Sequence, residues 1–292
     1  MKPAPFAYHD PSTVEEALEL LAEHGDEAKA LAGGQSLVPM MNFRLARPAH
    51  LIDLNHLAPL RGLRVAGGEL RIAAMTRQRE LEISKDVASA WPLLTELMPY
   101  VSHVQIRNRG TVGGSAAHAD PAAELPAAML ALDAQLLIRR RGGERTEGAD
   151  AFFRDAYETS LQDDELLTEI RIGAMAPRTG WGFQEVSRRH GDFALVAAAT
   201  LLTLGADGAI REARIALAGV AGRAVRAPSA ELALVGQRPD LEAFRAAAAM
   251  VTQHIDPGSD VHASAGYRRH VAVVVARRAL ERAALRAAEM AA

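Results

Sequence analysis

Two glycine-centred segments hold the residues best suited to chemistry. One is Ala32-Gly33-Gly34-Gln35-Ser36, the other Thr111-Val112-Gly113-Gly114-Ser115. Each sets a glycine pair after an apolar residue and before polar side chains, and Gly34 and Gly114 lie 80 positions apart. Glycine accepts positive φ and close backbone approach. Successive N–H groups in such a turn can form a concave nest for an anion such as a pyrophosphate. Gln35, Ser36, Thr111 and Ser115 add neutral hydrogen-bond partners. A helix after Ser36 would aim its N-terminus at the same anion. A single Gly-Gly is most often a tight turn, and Gly67-Gly68 and Gly142-Gly143 are read that way.

Neither G-x-x-x-x-G-K-[ST] nor a G-x-G-x-x-G strand–helix turn is present, so a dinucleotide would be held by another route. His118 and Asp120, with His103 upstream, suit zinc or iron in type but lack a third ligand at useful spacing. They read better as a loop shaping the site behind the second glycine pair. Ser36, His118 and Asp120 do not make a hydrolase, because no G-x-S-x-G elbow exists. Asp163-Asp164-Glu165 reads as a solvated turn, and Trp91 and Trp181 as packing residues. Arg188-Arg189-His190 divides evenly between facing an anion and surface charge.

The chain has 292 residues, 33 Lys+Arg against 36 Asp+Glu, and 49% hydrophobic residues. That length suggests about two domains. A net charge of -3 gives no reason to expect nucleic acid, and Arg139-Arg140-Arg141 is too short a run to argue for it. No cysteine is present. A disulfide scaffold, a thiol nucleophile and an iron–sulfur cluster held by this chain are therefore excluded. No signal peptide or membrane span is expected, and the cytoplasm is the expected location.

The elements follow from periodicity and punctuation. Ser12 and Glu15 read as a capping box for a helix with Val14, Leu18 and Leu21 on one face, stopped by Gly25. A short strand, Ala28 to Ala32, runs into the first glycine pair, and a helix follows over Leu37 to Leu45. His50 to Leu54 reads as a strand. Gly67-Gly68 joins a hairpin of Leu63–Ala66 and Leu70–Ala74. Val87 to Met98 carries helical periodicity, and Arg107 to Ser115 reads as a polar loop. Helix Glu124–Leu132 and strands Ala134–Arg139 and Leu166–Ile172 follow. Turn-rich Pro177 to Gly182 marks a domain boundary. Beyond it come strands over Gly182–Arg188, Ala194–Leu204 and Glu212–Ala218, the last two joined at Asp207-Gly208. Two helices close the chain, over Leu241–His254 and Ser264–Ala288. The second has an inner stripe of Val271, Val274, Val275 and Leu280. The order is α+β.

With these residues in view, the chain resembles the FAD-binding medium subunit of molybdenum hydroxylases. That family includes the carbon monoxide dehydrogenase flavoprotein and the flavin parts of xanthine dehydrogenase and N-heterocycle hydroxylases. The likeness rests on Ala32 to Pro39, Arg107 to Ser115, Ala117 to Glu124 and Gly191 to Ala194, and it spans nearly the whole chain. It implies a two-subdomain FAD-binding fold of the vanillyl-alcohol-oxidase type over 1–177 (subdomains 1–57 and 58–177). A C-terminal α+β domain, 178–292, with a three-stranded antiparallel sheet would close over the flavin. Leu31, Ala32, Gly33, Gly34, Gln35, Ser36, Leu37 and Val38 would line the cofactor with Thr111, Val112, Gly113, Gly114 and Ser115. His118 and Asp120 would shape the site, and Glu124 would hold ribose or ribityl hydroxyls. Leu166 would pack near the adenine. Gln184 stands where xanthine dehydrogenases have Lys. Phe193 would lie beside the isoalloxazine.

The resemblance further implies an electron-transfer subunit with no catalytic side chain and no metal of its own. A large molybdenum-cofactor subunit and a small subunit with 2Fe-2S clusters would be its partners, in a dimer of heterotrimers. An external acceptor would take the electrons from FAD. A self-sufficient NAD(P)H-dependent flavin reductase, with Ser187 as a possible proton donor, and a flavin-free scaffold are the alternatives.

Overall fold

The computed structural model describes residues 2–290 in three parts, each built on its own sheet. The first contains β1 (Ala7–His9), α1 (Val14–His24), β2 (Ala28–Leu31), α2 (Leu37–Asn42) and β3 (His50–Asp53). Its strands are parallel in the order β1-β3-β2. Parallel neighbours need a crossover: α2 lies on the connection from β2 to its neighbour β3, while α1 carries the chain from β1 to β2 on the far side of β3. Thr13 is the N-cap of α1, its hydroxyl accepting from Glu16 N–H, while Glu16 accepts from the Ser12 N–H at 2.8 Å. The capping box thus sits one residue later than Ser12 and Glu15. The register that buries Val14, Ala17, Leu18 and Leu21 decides it. Gly25, at φ +52°, ends the helix.

The second part opens with the hairpin of β4 (Leu63–Ala66) and β5 (Glu69–Ala73), turned by Gly67 and Gly68 at positive φ. Six helices follow: α3 (Gln78–Ile83), α4 (Lys85–Ala90), α5 (Pro92–Leu97), α6 (Val104–Arg107), α7 (Val112–His118) and α8 (Glu124–Ala131). Then come β6 (Gln135–Arg140), β7 (Gly143–Gly148), α9 (Ala149–Phe152), the ribbon of β8 (Phe153–Asp155) and β9 (Glu158–Thr159), and β10 (Leu166–Ile172). The antiparallel order is β4-β5-β10-β6-β7. The periodicity over Val87 to Met98 is broken into two helices at Trp91-Pro92, because the residue before proline leaves the helical region. Trp91 is buried there, donating to the Gly173 carbonyl. Glu165 is not a solvated turn residue. It is buried and takes a two-bond clasp from Arg145, at 2.8 and 2.7 Å.

The third part holds β11 (Thr179–Ser187), β12 (Ala194–Leu204), β13 (Ile210–Ala218), β14 (Val225–Arg226), α10 (Pro228–Leu234), α11 (Leu241–Met250) and α12 (Ala265–Glu289). The sheet has four strands rather than three, since two-residue β14 adds to its edge. All of β12 is buried. Its two faces serve different cores. Ala197, Ala199 and Leu201 join the core of the second part, which includes α8, whereas Val196, Ala198 and Leu202 join the core under α12. Glu96 ties these parts from the side, accepting from Trp181 Nε1 at 2.7 Å and pairing with Arg282 and Arg286.

Thr179 to Gly182 form the start of a strand rather than a turn. Gly180 and Gly182 let the backbone of α12 reach the sheet. A β-carbon at Gly180 would collide with the Ala283 carbonyl, and one at Gly182 with the Ala279 carbonyl. The inner stripe of α12 is accordingly mostly alanine: Ala272, Ala276, Ala279, Ala283 and Ala287 are buried with Val271, Val275 and Leu280, and Val274 is only half-buried. Gly182→Val should therefore cost about 1–3 kcal/mol by overpacking. The expected readout is a lower urea midpoint with an unchanged slope.

Candidate functional site

The first glycine segment leaves β2 at Leu31 and turns at Gly34, φ +72°. Gln35 folds back so that its Nε2 donates to the Gly33 carbonyl at 2.8 Å. Asn55 Nδ2 donates to the Ala32 carbonyl at 2.8 Å. Among the described residues, the N–H groups of Gly33, Gly34, Gln35 and Ser36 find no acceptor within the chain. These residues are half-buried. Partly shielded, unpaired donors in succession across a glycine turn are the nest that an anion fills. Helix α2 begins directly behind them at Leu37 and ends at Asn42, short of the expected Leu45.

The second segment is not an open loop. Arg107 closes α6 and Val112 opens α7, with Thr111 as N-cap, its hydroxyl accepting from Gly114 N–H at 3.0 Å. Val112 N–H donates to Thr76, Gly113 N–H to Ala74 and Ser115 N–H to Thr111 carbonyls. The donors from Val112 to Ser115 are thus engaged internally. Its glycines serve close packing: a β-carbon on Gly113 would sit 2.5 Å from Ala74 Cβ.

The two segments touch. A β-carbon on Gly33 would strike the Arg109 carbonyl and lie 2.7 Å from Gly110 Cα, and one on Gly114 would lie 3.3 Å from Ala32 Cβ. Arg77 clamps the junction, donating to the Arg109 carbonyl and, at 2.7 Å, to Asn55 Oδ1. Asn55 is itself held by Asp53, whose other oxygen accepts from Tyr8 Oη at 2.7 Å. Behind the junction Arg107 is buried, bonded to both Glu82 oxygens and to the Val101 and Ser102 carbonyls. Sequence reasoning missed the Arg77–Asn55–Asp53–Tyr8 chain, because these residues span the first two parts and share no spacing.

Beyond α7 the chain passes Ala119 in the left-handed region, φ +50°. Asp120 is buried, accepting from Ala122 N–H at 2.9 Å and facing the Tyr157 hydroxyl at 3.3 Å. The His118 ring packs 5.1 Å from that of Tyr157, and burial lowers its pKa against the opposing pull of Asp120. Glu124, at the start of α8, is buried. Desolvation, with the Asp120 charge adding, pushes its carboxyl up to about 7. Glu185 on β11 was not anticipated. Burial, and then the charge of Glu124, raises it to about 8, and its Oε2 has no partner among the described residues.

The remaining expected residues scatter around this centre. Gln184 turns its Nε2 to the Phe183 carbonyl. Ser187 donates to the Arg189 carbonyl. Leu166 is buried in the core that α1 shares with Leu57, Leu60 and Met75. Leu37 is half-buried and Val38 exposed. Phe193 is 64% exposed between β11 and β12. Its loop passes close to α6, since a β-carbon on Gly191 would lie 2.5 Å from His103 Cε1.

In this arrangement one glycine turn offers donors and a second packs against it, a geometry suited to an anionic cofactor. Comparison with known proteins agrees. Residues 4–175 match the FAD binding domain in molybdopterin dehydrogenase, and residues 181–283 match the CO dehydrogenase flavoprotein C-terminal domain. The chain is 41% identical to the 6-hydroxypseudooxynicotine dehydrogenase complex subunit alpha of Paenarthrobacter nicotinovorans, over 98% of this chain and 97% of that one. It is 39% identical to the carbon monoxide dehydrogenase medium chain of Hydrogenophaga pseudoflava, over 99% and 100%. A solved structure of the carbon monoxide dehydrogenase of that organism superposes with a TM-score of 0.95 at 41% identity, covering 98% of this chain and 99% of that chain. Quinoline 2-oxidoreductase of Pseudomonas putida 86 gives 0.92 at 37%, covering 98% and 99%. The chain belongs to the FAD-binding medium-subunit family of the molybdenum hydroxylases. It is an FAD-containing oxidoreductase component.

Two outcomes test this geometry. Gly33→Val should drive the segments apart and yield protein with little FAD, read as the flavin-to-protein absorbance ratio; a full complement of FAD would break the link between that contact and binding. The second concerns pH. A carboxyl whose folded pKa exceeds its unfolded 4.5 favours the fold at low pH, and that contribution is lost as pH rises toward about 8. FAD-free Glu185→Gln should therefore lose less stability than the parent between pH 5 and 8, measured by urea denaturation.

Proposed function

We propose that the chain holds FAD across the contact between its two glycine segments and passes electrons from an iron–sulfur partner subunit to an external acceptor. The observation that carries the binding mode is the run of unpaired N–H groups from Gly33 to Ser36. Those donors would take the pyrophosphate, with the Ser36, Thr111 and Ser115 hydroxyls beside them. Leu31, Ala32, Leu37 and Val38 would flank it, and Val112, Gly113 and Gly114 would form the packed wall behind. Glu124, its carboxyl pushed up to about 7 by burial, accepts from a sugar hydroxyl and, when protonated, can also donate to one. His118 and Asp120 would fix that wall, and Leu166 would back the adenine side. Gln184 and exposed Phe193 belong to the third part and would close over the ring system, Phe193 offering a π-face.

FAD, when bound, supplies the redox chemistry; the protein supplies binding, orientation and tuning. The chain has no cysteine for clusters of its own, so 2Fe-2S centres and the molybdenum cofactor would reside on a small and a large partner subunit. A dimer of heterotrimers in the cytoplasm is the assembly we favour. No helix among the described residues is long and apolar enough to cross a membrane. In domain terms we assign FAD binding to 1–177, with subdomains 1–57 and 58–177, and the closing domain to 178–292.

The test is flavin reduction in a co-purified complex. Reducing the partner's iron–sulfur clusters should bleach the flavin of this chain, and the isolated chain should show no turnover with NAD(P)H alone. A flavin that stays oxidised beside reduced clusters would refute electron transfer. In the same assay Phe193→Ala should keep most of its FAD but alter its absorption spectrum or reoxidation rate, and an unchanged spectrum and rate would remove Phe193 from the ring.

A further inference from the structure

We propose that His9, His24 and His50 form a binding site for one divalent first-row transition-metal ion of the zinc type, pinning the N-terminal strand to the end of α1. His9 ends β1, His50 opens β3 and His24 is the last residue of α1. Parallel pairing sets Ala7 beside His50 and His9 beside Ile52, so the two histidines are diagonal neighbours on one sheet face. That is the face covered by α1, because Ile52 is buried with Val14, Ala17 and Leu18.

The three rings meet closely. His9 Nε2 lies 2.9 Å from His50 Nδ1. The His24 and His50 rings stack at 3.6 Å between centroids and 10° between planes, and the His9 ring is 5.3 Å from that of His24. One ring nitrogen from each lies within 4.8 Å of the others. Zinc with Zn–N bonds of about 2.0–2.1 Å needs nitrogens roughly 3.3 Å apart in a tetrahedron. Because imidazole lone pairs lie in the ring plane, binding would require the His24 ring to tilt out of its stack on His50.

Further features favour a cation. The His9–His50 contact is the one hydrogen bond these rings make among the described residues, so the other ring nitrogens are not committed to protein acceptors. The cluster also sits at the C-terminal end of an 11-residue helix, where the dipole favours positive charge. Glu23, whose charge acts on His9, adds a negative neighbour. Three imidazoles without cysteine suit zinc, copper or nickel, with a fourth position left for water or an added ligand.

This site is separate from the flavin cradle. His50 pairs with Ala28 at the start of β2, and the glycine turn follows the end of that strand, about 13 Å further at 3.3 Å per residue.

The experiment is a zinc titration of the full-length, FAD-loaded chain after dialysis against EDTA, followed by calorimetry and metal analysis. One zinc per chain is expected, bound more weakly near pH 5.5 as protons compete. His24→Ala and His50→Asn should each weaken binding at least about tenfold. His56→Ala, an exposed histidine of the same region paired with Asp10, should leave it unchanged. FAD content reports folding of each variant, and half-buried His24 can also be changed conservatively in His24→Gln. Absence of stoichiometric zinc in the parent protein overturns the proposal. So does zinc held equally by the folded His24 and His50 variants.

Discussion

The backbone contact between Gly33 and Arg109-Gly110 is the constraint on which the rest of the site depends. Any side chain at Gly33 would occupy the space of the Arg109 carbonyl. Only glycine lets the two turns meet. Arg77 fixes the junction by reaching both sides, to the Arg109 carbonyl and to Asn55. Buried Arg107 anchors the same stretch from behind, bridging Glu82 and two carbonyls. A guanidinium suits both tasks because its fork serves several acceptors at fixed angles.

The two glycine segments look alike and do different work. The first keeps its N–H groups unpaired, and the second spends its own on Thr76, Ala74 and Thr111. One leaves its donors free and the other is a packed wall. Helix α8 carries this wall into the third part, since β12 and β13 pack on it. Glu124 at its start is buried, and its charge reaches Glu185 in the third part. Burial raises both carboxyls, with Asp120 adding to the shift of Glu124 and Glu124 adding to that of Glu185.

Much of the architecture was readable from local pattern. The Gly67-Gly68 hairpin, the strands over Ala194–Leu204 and Leu166–Ile172, and the last helix from Ser264 onward all form where expected. The errors share a cause. The cap of α1 moved by one residue because burial of its apolar face fixed the register. Thr179 to Gly182 read as a turn because glycine usually punctuates, yet here glycine makes room for a helix. Glu165 read as solvated because its partner Arg145 lies 20 residues away.

The sequence alone determined the two glycine motifs, the α+β order, the family and the absence of cysteine. These depend on residue identity and short-range spacing, which survive in one dimension. Tertiary structure alone decided which glycine segment keeps its donors, that Arg77 joins the two and that three histidines converge. Each of those is a contact between residues far apart in the chain, set by how sheets and helices pack rather than by any spacing.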